Sequence, residues 1–272
     1  MNWENKEILI LVKAYPEQSK KYGTSVCTAG LTNQDKDWIR IYPIRLITYG
    51  INKFLKKWIR IRAEVKPSNE RLRRLESYKI KENSIEIIND ELISTQPRGN
   101  WKKRHRIMNR HISDSIKVLD QRKEFNKISL GLIKPKDFEF YFRTPVDQIE
   151  IKQNKSIQKT LDGEDAFMLD QIPNAFAYKF HCGAKDCNGH DMICEDWEIR
   201  ESFRSWRKRY THQELANKML DRYNKWMHKK RELYFILGTT NRFNTWVIIG
   251  LYYPPKNVVR GVSQENSLDK FF

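Results

Sequence analysis

At 272 residues the chain is long enough to bury a real core, and 51 Lys plus Arg against 34 Asp plus Glu give it a formal charge of +17 and an isoelectric point near 9.6. Such an excess points to a polyanionic partner, nucleic acid first and an anionic membrane surface as the rival. No apolar run has the length of a transmembrane helix, Met1 to Val12 does not read as a signal peptide, and four cysteines in a chain this long are no disulfide scaffold, so a cytoplasmic protein with no membrane span is expected.

Ile8 to Val12 is too short for a helix and stops at Tyr15-Pro16, which predicts a buried strand. Ser25 to Gly30, with Cys27, predicts a second. Trp38 to Tyr42 alternates, placing Ile39 and Ile41 on one face and Trp38, Arg40 and Tyr42 on the other. The pattern recurs with Ile59, Ile61, Ala63 and Val65 inward and Trp58, Arg60 and Arg62 outward. Two faces of Trp, Tyr and Arg suit stacking on unpaired bases with guanidinium on phosphate; the other reading packs both tryptophans under a helix, with arginine stems across them. The basic turn Arg71 to Tyr78 holds Arg74 and Glu76, the latter a candidate catalytic acid or half of an ion pair.

Pro97-Arg98-Gly99 marks a boundary between a β-rich, nucleic-acid-facing part (1–97) and a helical, Cys/His-containing part (98–255). Trp101 to Lys127 reads as one helix, with Met108, Ile112, Ile116 and Leu119 on its apolar side. Lys102, Lys103, Arg104, Arg106 and Arg110 make its first turns basic enough to lie along a phosphate backbone. Gly131 to Thr144 returns to β character, and 153–165 reads as a loop.

Cys182-x4-Cys187-x2-His190-x3-Cys194 then offers three thiolates and an imidazole, the ligands of a closed, structural zinc site, unless the thiols carry no metal; His181 is a spare imidazole beside it. Asp196 and Glu198 follow. On a strand both carboxylates would converge on a metal or a water, whereas in the first turn of a helix they would complement its dipole. Arg200 to Arg231 predicts two helices or one broken helix, with a capping box at Thr211 to Glu214 and a core stripe of Leu215, Met219, Tyr223 and Trp226. Leu233 to Leu237 and Thr245 to Leu251 predict a closing hairpin. Residues 256–272 are polar and predicted to lack structure up to Leu268-Asp269-Lys270-Phe271-Phe272.

Val26 to Gly30 with Trp38 to Pro43, the block from Cys187-Asn188-Gly189-His190 to Asp196-Trp197-Glu198, and Gly238-Thr239 with Trp246 to Gly250 together resemble an uncharacterised prokaryotic family. That family in turn resembles phage-defence DNA glycosylases, a resemblance that bears on reaction class and carries over no catalytic position. Gln264 to Phe272 resembles the sliding-clamp-binding tail of archaeal replication and repair enzymes. The glutamine of that motif falls one place early, at Gln264, with Glu265 in its position. The resemblance implies that Leu268, Phe271 and Phe272 plug the clamp's pocket.

These readings add up to an α+β protein that processes DNA, with base excision as the expected reaction. Such an enzyme unstacks a nucleotide, holds its base on aromatics, here Trp38, Tyr42 and Trp58, and uses a carboxylate to steady the cationic sugar. Asp196, Glu198 and Glu76 are the candidates. A metal-dependent nuclease built on Asp196 and Glu198 is the first alternative, although Glu198-Ile199-Arg200 departs from the usual Glu-x-Lys. A non-catalytic DNA- or RNA-binding protein with a structural zinc is the second.

Overall fold

A computed structural model describes residues 2–15, 17–19, 23–45, 56–68, 74–89, 91–93, 99–151, 158–159, 165–166, 172–173, 175–240 and 244–268. The fold is α+β. Seven strands open it: β1 (Glu4–Lys13), β2 (Glu17–Ser19), β3 (Gly23–Thr32), β4 (Asp37–Arg45), β5 (Arg60–Pro67), β6 (Ser77–Ile80) and β7 (Glu86–Asn89). A register shift between Ile10 and Val12 accompanies a change of neighbour along β1, whose first half pairs with β5 and second half with β3. β3 pairs with β4, β4 runs parallel to β6, and β6 returns to β5, so β1-β3-β4-β6-β5 closes into a five-stranded barrel with β2 and β7 on its margins. Numbered along the chain, the barrel strands follow the order 1-2-3-5-4-1 with 3 and 5 parallel. That connectivity is the one of the OB-fold, a barrel that elsewhere binds oligonucleotides and oligosaccharides.

Ile8, Ile10, Ile39, Ile41, Ile61, Ala63 and Val65 fill the barrel, as the alternation in β4 and β5 predicts. Leu9 and Leu11 of β1 point the other way and, with Ala29 and Leu31, form an apolar outer face. β1 is therefore buried on both sides, which is why its sequence is a continuous apolar run. Gly30 lies opposite Ile10, where an added Cβ would come within 2.2 Å of the Leu9 carbonyl oxygen.

The second unit contains α1 (Gly99–Asn109), β8 (Ile112–Ser113), α2 (Ile116–Asn126), β9 (Leu130–Ile133), β10 (Asp137–Phe142), β11 (Gln158–Lys159), β12 (Asp165–Ala166), β13 (Phe176–His181), β14 (His190–Ile193), α3 (Trp197–Trp206), α4 (His212–Leu220), a π-helical turn at Asp221–Trp226, α5 (Met227–Lys230), β15 (Tyr234–Thr239), β16 (Trp246–Tyr252) and α6 (Lys256–Leu268). A sheet ordered β16-β15-β9-β8 stands between two cores. Tyr234 and Ile236 of β15 face the barrel's outer wall, while Phe235 and Leu237 face Tyr178, Phe180 and the apolar sides of α3 and α4. Period-two alternation thus serves two cores from one strand.

The single helix expected over 101–127 is two. Met108 packs on the barrel side whereas Ile116 and Leu119 pack in the other core, and the chain breaks between them at β8. Ser115 restarts the helix by accepting the Val118 amide on its hydroxyl. The Thr211 to Glu214 capping box and the closing hairpin of β15 and β16 are present as read. Lys256–Leu268, expected to lack structure, forms α6, with Val262 buried. Phe271 and Phe272 lie outside the described residues. No helix among the described residues is long and apolar enough to cross a membrane.

Candidate functional site

Cys194 to Asp196 lie where the two units meet: Ala14, just past β1, bridges Asp196, and Cys194 bridges Ile248 of β16. Asp196 is the N-cap of α3 and is fully buried. Its Oδ1 accepts the amides of Glu198 (2.8 Å) and Ile199 (3.3 Å); its Oδ2 accepts the Leu251 amide (3.0 Å) and the Lys57 ammonium (2.9 Å). Four donors use up the carboxylate's acceptor sites, so Asp196 ties barrel, hairpin and helix together and is not available to a metal or a water. It is thereby corrected from catalytic candidate to structural cap.

Glu198, in the first turn of α3 where its charge also complements the helix dipole, differs from it. Its side chain is 42% exposed, its Oε1 lies 3.2 Å from Lys57 Nζ, and its Oε2 accepts the Tyr253 hydroxyl at 2.7 Å. Burial pushes the Glu198 carboxyl up, but Lys57, the Tyr253 hydroxyl and Arg222 outweigh it and hold the group below the usual carboxylate range. Burial alone would lower Lys57; Asp196 first and Glu198 second hold it well above its ordinary value instead. The same burial pushes the enclosed Asp196 up against the pull of Lys57. What reaches solvent is one ionised carboxylate, fixed from two sides, able to steady a developing positive charge or to orient a water.

Beside it runs a wall in which indole and guanidinium alternate. Arg104 lies 4.6 Å over Trp58 and 5.0 Å over Trp101, Arg231 lies 5.5 Å over Trp101 and 4.7 Å over Trp226, and Arg222 lies 3.9 Å over Trp226. Tyr253, the partner of Glu198, sits 6.4 Å from Trp101 and 6.3 Å from Trp226 between ring centroids. Trp226, expected in the core stripe, packs partly buried against that core and also faces this wall, whereas Lys57, Trp101, Arg222 and Tyr253 are not marked out by the sequence pattern. Tyr252-Tyr253 before Pro254-Pro255 was the one local signal.

The platform expected on the barrel is not open. The second unit covers that wall: Trp58 is buried under Arg104, and Trp38 is half-buried with its ring edge on His111. Arg40, also buried, donates to the carbonyl and hydroxyl of Ser129 (3.1 and 3.2 Å), and Tyr42 is half-buried. Arg60 forms a two-point pair with Asp35, while Arg62 is exposed between Glu7 and Glu86. Arg74 donates to the carbonyls of Thr239 and Thr240. Glu76 is 4% exposed and accepts the Ser129 amide at 2.8 Å, which fixes it inside the junction and away from any substrate. On α1, Lys103 pairs with Glu91 and Lys102 is half-buried, whereas Arg106 and, just past the helix, Arg110 are exposed.

The hairpin of β13 and β14 gathers Cys182, Cys187 and His190 into a group able to hold a metal ion. The two sulfurs are 3.6 Å apart, and Cys187 Sγ is 3.3 Å from His190 Nε2. A tetrahedral zinc with bonds near 2.3 Å to sulfur and 2.0 Å to nitrogen has edges of roughly 3.3–3.8 Å. Although burial opposes it, the amides of Cys182 and Gly189 draw the Cys187 thiol below its ordinary value, toward the thiolate a metal needs. Cys194, the expected fourth ligand, is not in the group: it is wholly buried among apolar side chains, where burial pushes its thiol well up. His181 is held by Asp137 through Nδ1 at 2.9 Å.

Two family models cover residues 4–271 between them. One is a domain of unknown function, DUF8758, at residues 4–110, and the other a domain of unknown function, DUF8757, at residues 111–271. Their junction falls between α1 and β8, leaving the barrel and α1 on one side and Glu198 with the Cys/His group on the other. No curated protein matches the chain. With more than half of its length matched by the second model, the chain belongs to the DUF8757 family.

Proposed function

We propose that the protein is a DNA-processing enzyme, a cytoplasmic glycosylase that excises damaged or modified bases in DNA repair or phage defence, with Glu198 as its catalytic residue. The observation that carries this reading is the ionised, half-exposed Glu198 carboxylate held between Lys57 and Tyr253 beside a wall of indoles and guanidiniums. In the reaction the C1′–N bond breaks and its electron pair leaves with the base, which takes a proton from solvent. Glu198 steadies the cationic sugar and accepts a proton from the water that adds at C1′. The exposed Arg106 of α1, Arg110 just past it and the net charge of +17 suit a phosphate backbone.

Treating modified and unmodified DNA with the protein, with and without alkali and EDTA, tests the reading. Alkali-dependent breaks are expected, and Glu198→Gln is expected to slow them by about 100-fold or more in protein that still folds and melts cooperatively. Direct, EDTA-sensitive breaks would instead mean a nuclease, a reading weakened by the saturation of Asp196. Band shifts without breaks would mean a non-catalytic binder, the reading that the barrel's connectivity favours on its own. Two partners complete the proposal. A zinc ion on Cys182, Cys187 and His190 stiffens the hairpin, and Leu268, Phe271 and Phe272 dock on the host sliding clamp, a contact that a calorimetric titration giving neither heat nor competition would remove.

A further inference from the structure

Where α3 ends and α4 passes into the π-helical turn, a surface pocket of about 400 Å³ is lined by Trp206, Tyr210, Lys218, Asp221, Arg222 and Trp226. Its volume lies within the range of small-molecule sites. A π-turn is rare and tends to mark function. Here Asn224 pins it, accepting the Phe140 amide at 2.6 Å and donating to the Phe140 carbonyl at 2.8 Å, while Tyr223 is buried. With those two residues committed inward, Asp221, Arg222 and Trp226 of the same turn line the pocket.

The chemistry of the lining selects the ligand. Three aromatic rings in one pocket suggest either a planar ring to stack or an alkylated ammonium to cage. Cations already sit on the rings: Arg222 lies 3.9 Å over Trp226 and Lys218 4.2 Å over Tyr210. Asp221, the acid of the lining, is paired with Lys225 at 2.7 Å. A cationic guest would meet two positive charges, whereas a planar guest carrying an anion can lie against the aromatic lining and pair its charge with both cations. Arg207, Lys208 and Arg209, exposed between Trp206 and Tyr210 in the chain, add positive charge next in sequence to two residues of the lining, which suits a polymeric anion. Arg222 also connects this pocket to the candidate acid, since it lies 5.9 Å from the Tyr253 ring and lowers Glu198.

We infer that this pocket receives one unstacked nucleotide of a single strand, its base against Trp206, Tyr210 and Trp226 and its phosphate against Lys218 and Arg222. The inference deepens the base-excision reading and takes from it the nucleic-acid substrate. The test follows tryptophan fluorescence of the full chain during titration with a ten-nucleotide single-stranded DNA, with tetramethylammonium as the rival probe. DNA is expected to quench, and Tyr210→Ala to weaken its binding by about ten-fold or more with an unchanged salt dependence. Lys218→Ala, at an exposed position, is expected to lower the slope of log affinity against log salt by about 0.7. Wild-type affinity in both variants at wild-type melting temperatures would overturn the pocket, as would quenching by tetramethylammonium alone. Should Tyr210→Ala fail to fold, Lys218→Glu decides, because a reversed charge must weaken a phosphate contact. Quenching that Tyr210→Ala and Lys218→Ala both reduce, without base release, overturns excision and leaves the pocket standing. Base release at wild-type rates in both variants overturns the pocket and leaves excision standing.

Discussion

Lys57 is the residue on which the site turns, because among the described residues it is the cation that faces both Asp196 and Glu198 within ion-pair distance. Replacing it by methionine keeps most of the stem and removes the charge, which leaves the fully buried Asp196 carboxylate with three amide donors and no counter-ion. Lys57→Met is therefore expected to cost about 3–5 kcal/mol of unfolding free energy, read by denaturant titration. A loss within 0.5 kcal/mol would mean that the amides alone hold Asp196. Lys13 supplies the complementary case. Burial, and then the neighbouring Lys57 charge, push its amine down from 10.5 to about 8, while its Nζ sits 4.4 Å over the Trp197 ring. Between pH 8 and 10.5 the unfolded chain keeps a proton there that the folded protein has released, so this group makes stability rise with pH across that window. In Lys13→Met that rise is expected to vanish from a series of melts between pH 7.5 and 10. An unchanged slope would assign it to other groups.

At the scale of elements, the legible parts of the chain were those whose signal is local. Alternation at Ile39 and Ile41 gave the barrel interior, and Thr211 with Glu214 gave a helix start, because neighbours within four residues decide both. The acid pair at Asp196 and Glu198 was legible as a pair, but its division of labour was not. Lys57 is 139 residues from Asp196 and Tyr253 is 55 from Glu198, so nothing near the pair tells which carboxylate is saturated and which faces solvent. Trp38 and Trp58 failed as an open platform for the same reason: a strand's outward face is known from period two, and what covers it is a long-range fact. In the Cys/His hairpin, spacing gave three candidate ligands that the structure brings together and one, Cys194, that lies in the core. The zinc proposed for that hairpin makes the difference measurable. Cys187→Ser is expected to remove bound zinc and lower the melting temperature, since a lost ligand costs folding free energy. Cys194→Ser should leave the zinc content at wild-type level in elemental analysis; equal loss of metal in both variants would restore Cys194 to the site.

For the whole molecule, the decisive feature is that the barrel does not end at its own wall. Leu9, Leu11, Ala29 and Leu31 on its outside share a core with Leu130, Leu132, Tyr234, Ile236 and Ile249 of the second unit. Arg40, Arg74 and Glu76 place charged groups in the same junction, where Ser129 and the Thr239 and Thr240 carbonyls meet them. The two family models cut the chain at residue 110, yet the physical seam is a shared apolar core with buried charges at its edge. Inter-domain surfaces of that kind do not separate freely, because each buried charge loses its partners when they part. A fragment of residues 1–110 would keep the barrel interior and expose the outer leucines together with the bare ends of Arg40 and Glu76. It is therefore expected to aggregate or to be degraded when made alone, and to become soluble when residues 111–272 are supplied as a second chain, which would bury the same face again. Size-exclusion chromatography of the fragment, alone and co-produced, reads the outcome directly. A monodisperse 1–110 monomer with a cooperative melt would show that the barrel is self-sufficient and that the junction is an interface formed after folding. In that case the site at Lys57, Asp196 and Glu198 would be assembled from two independently stable parts.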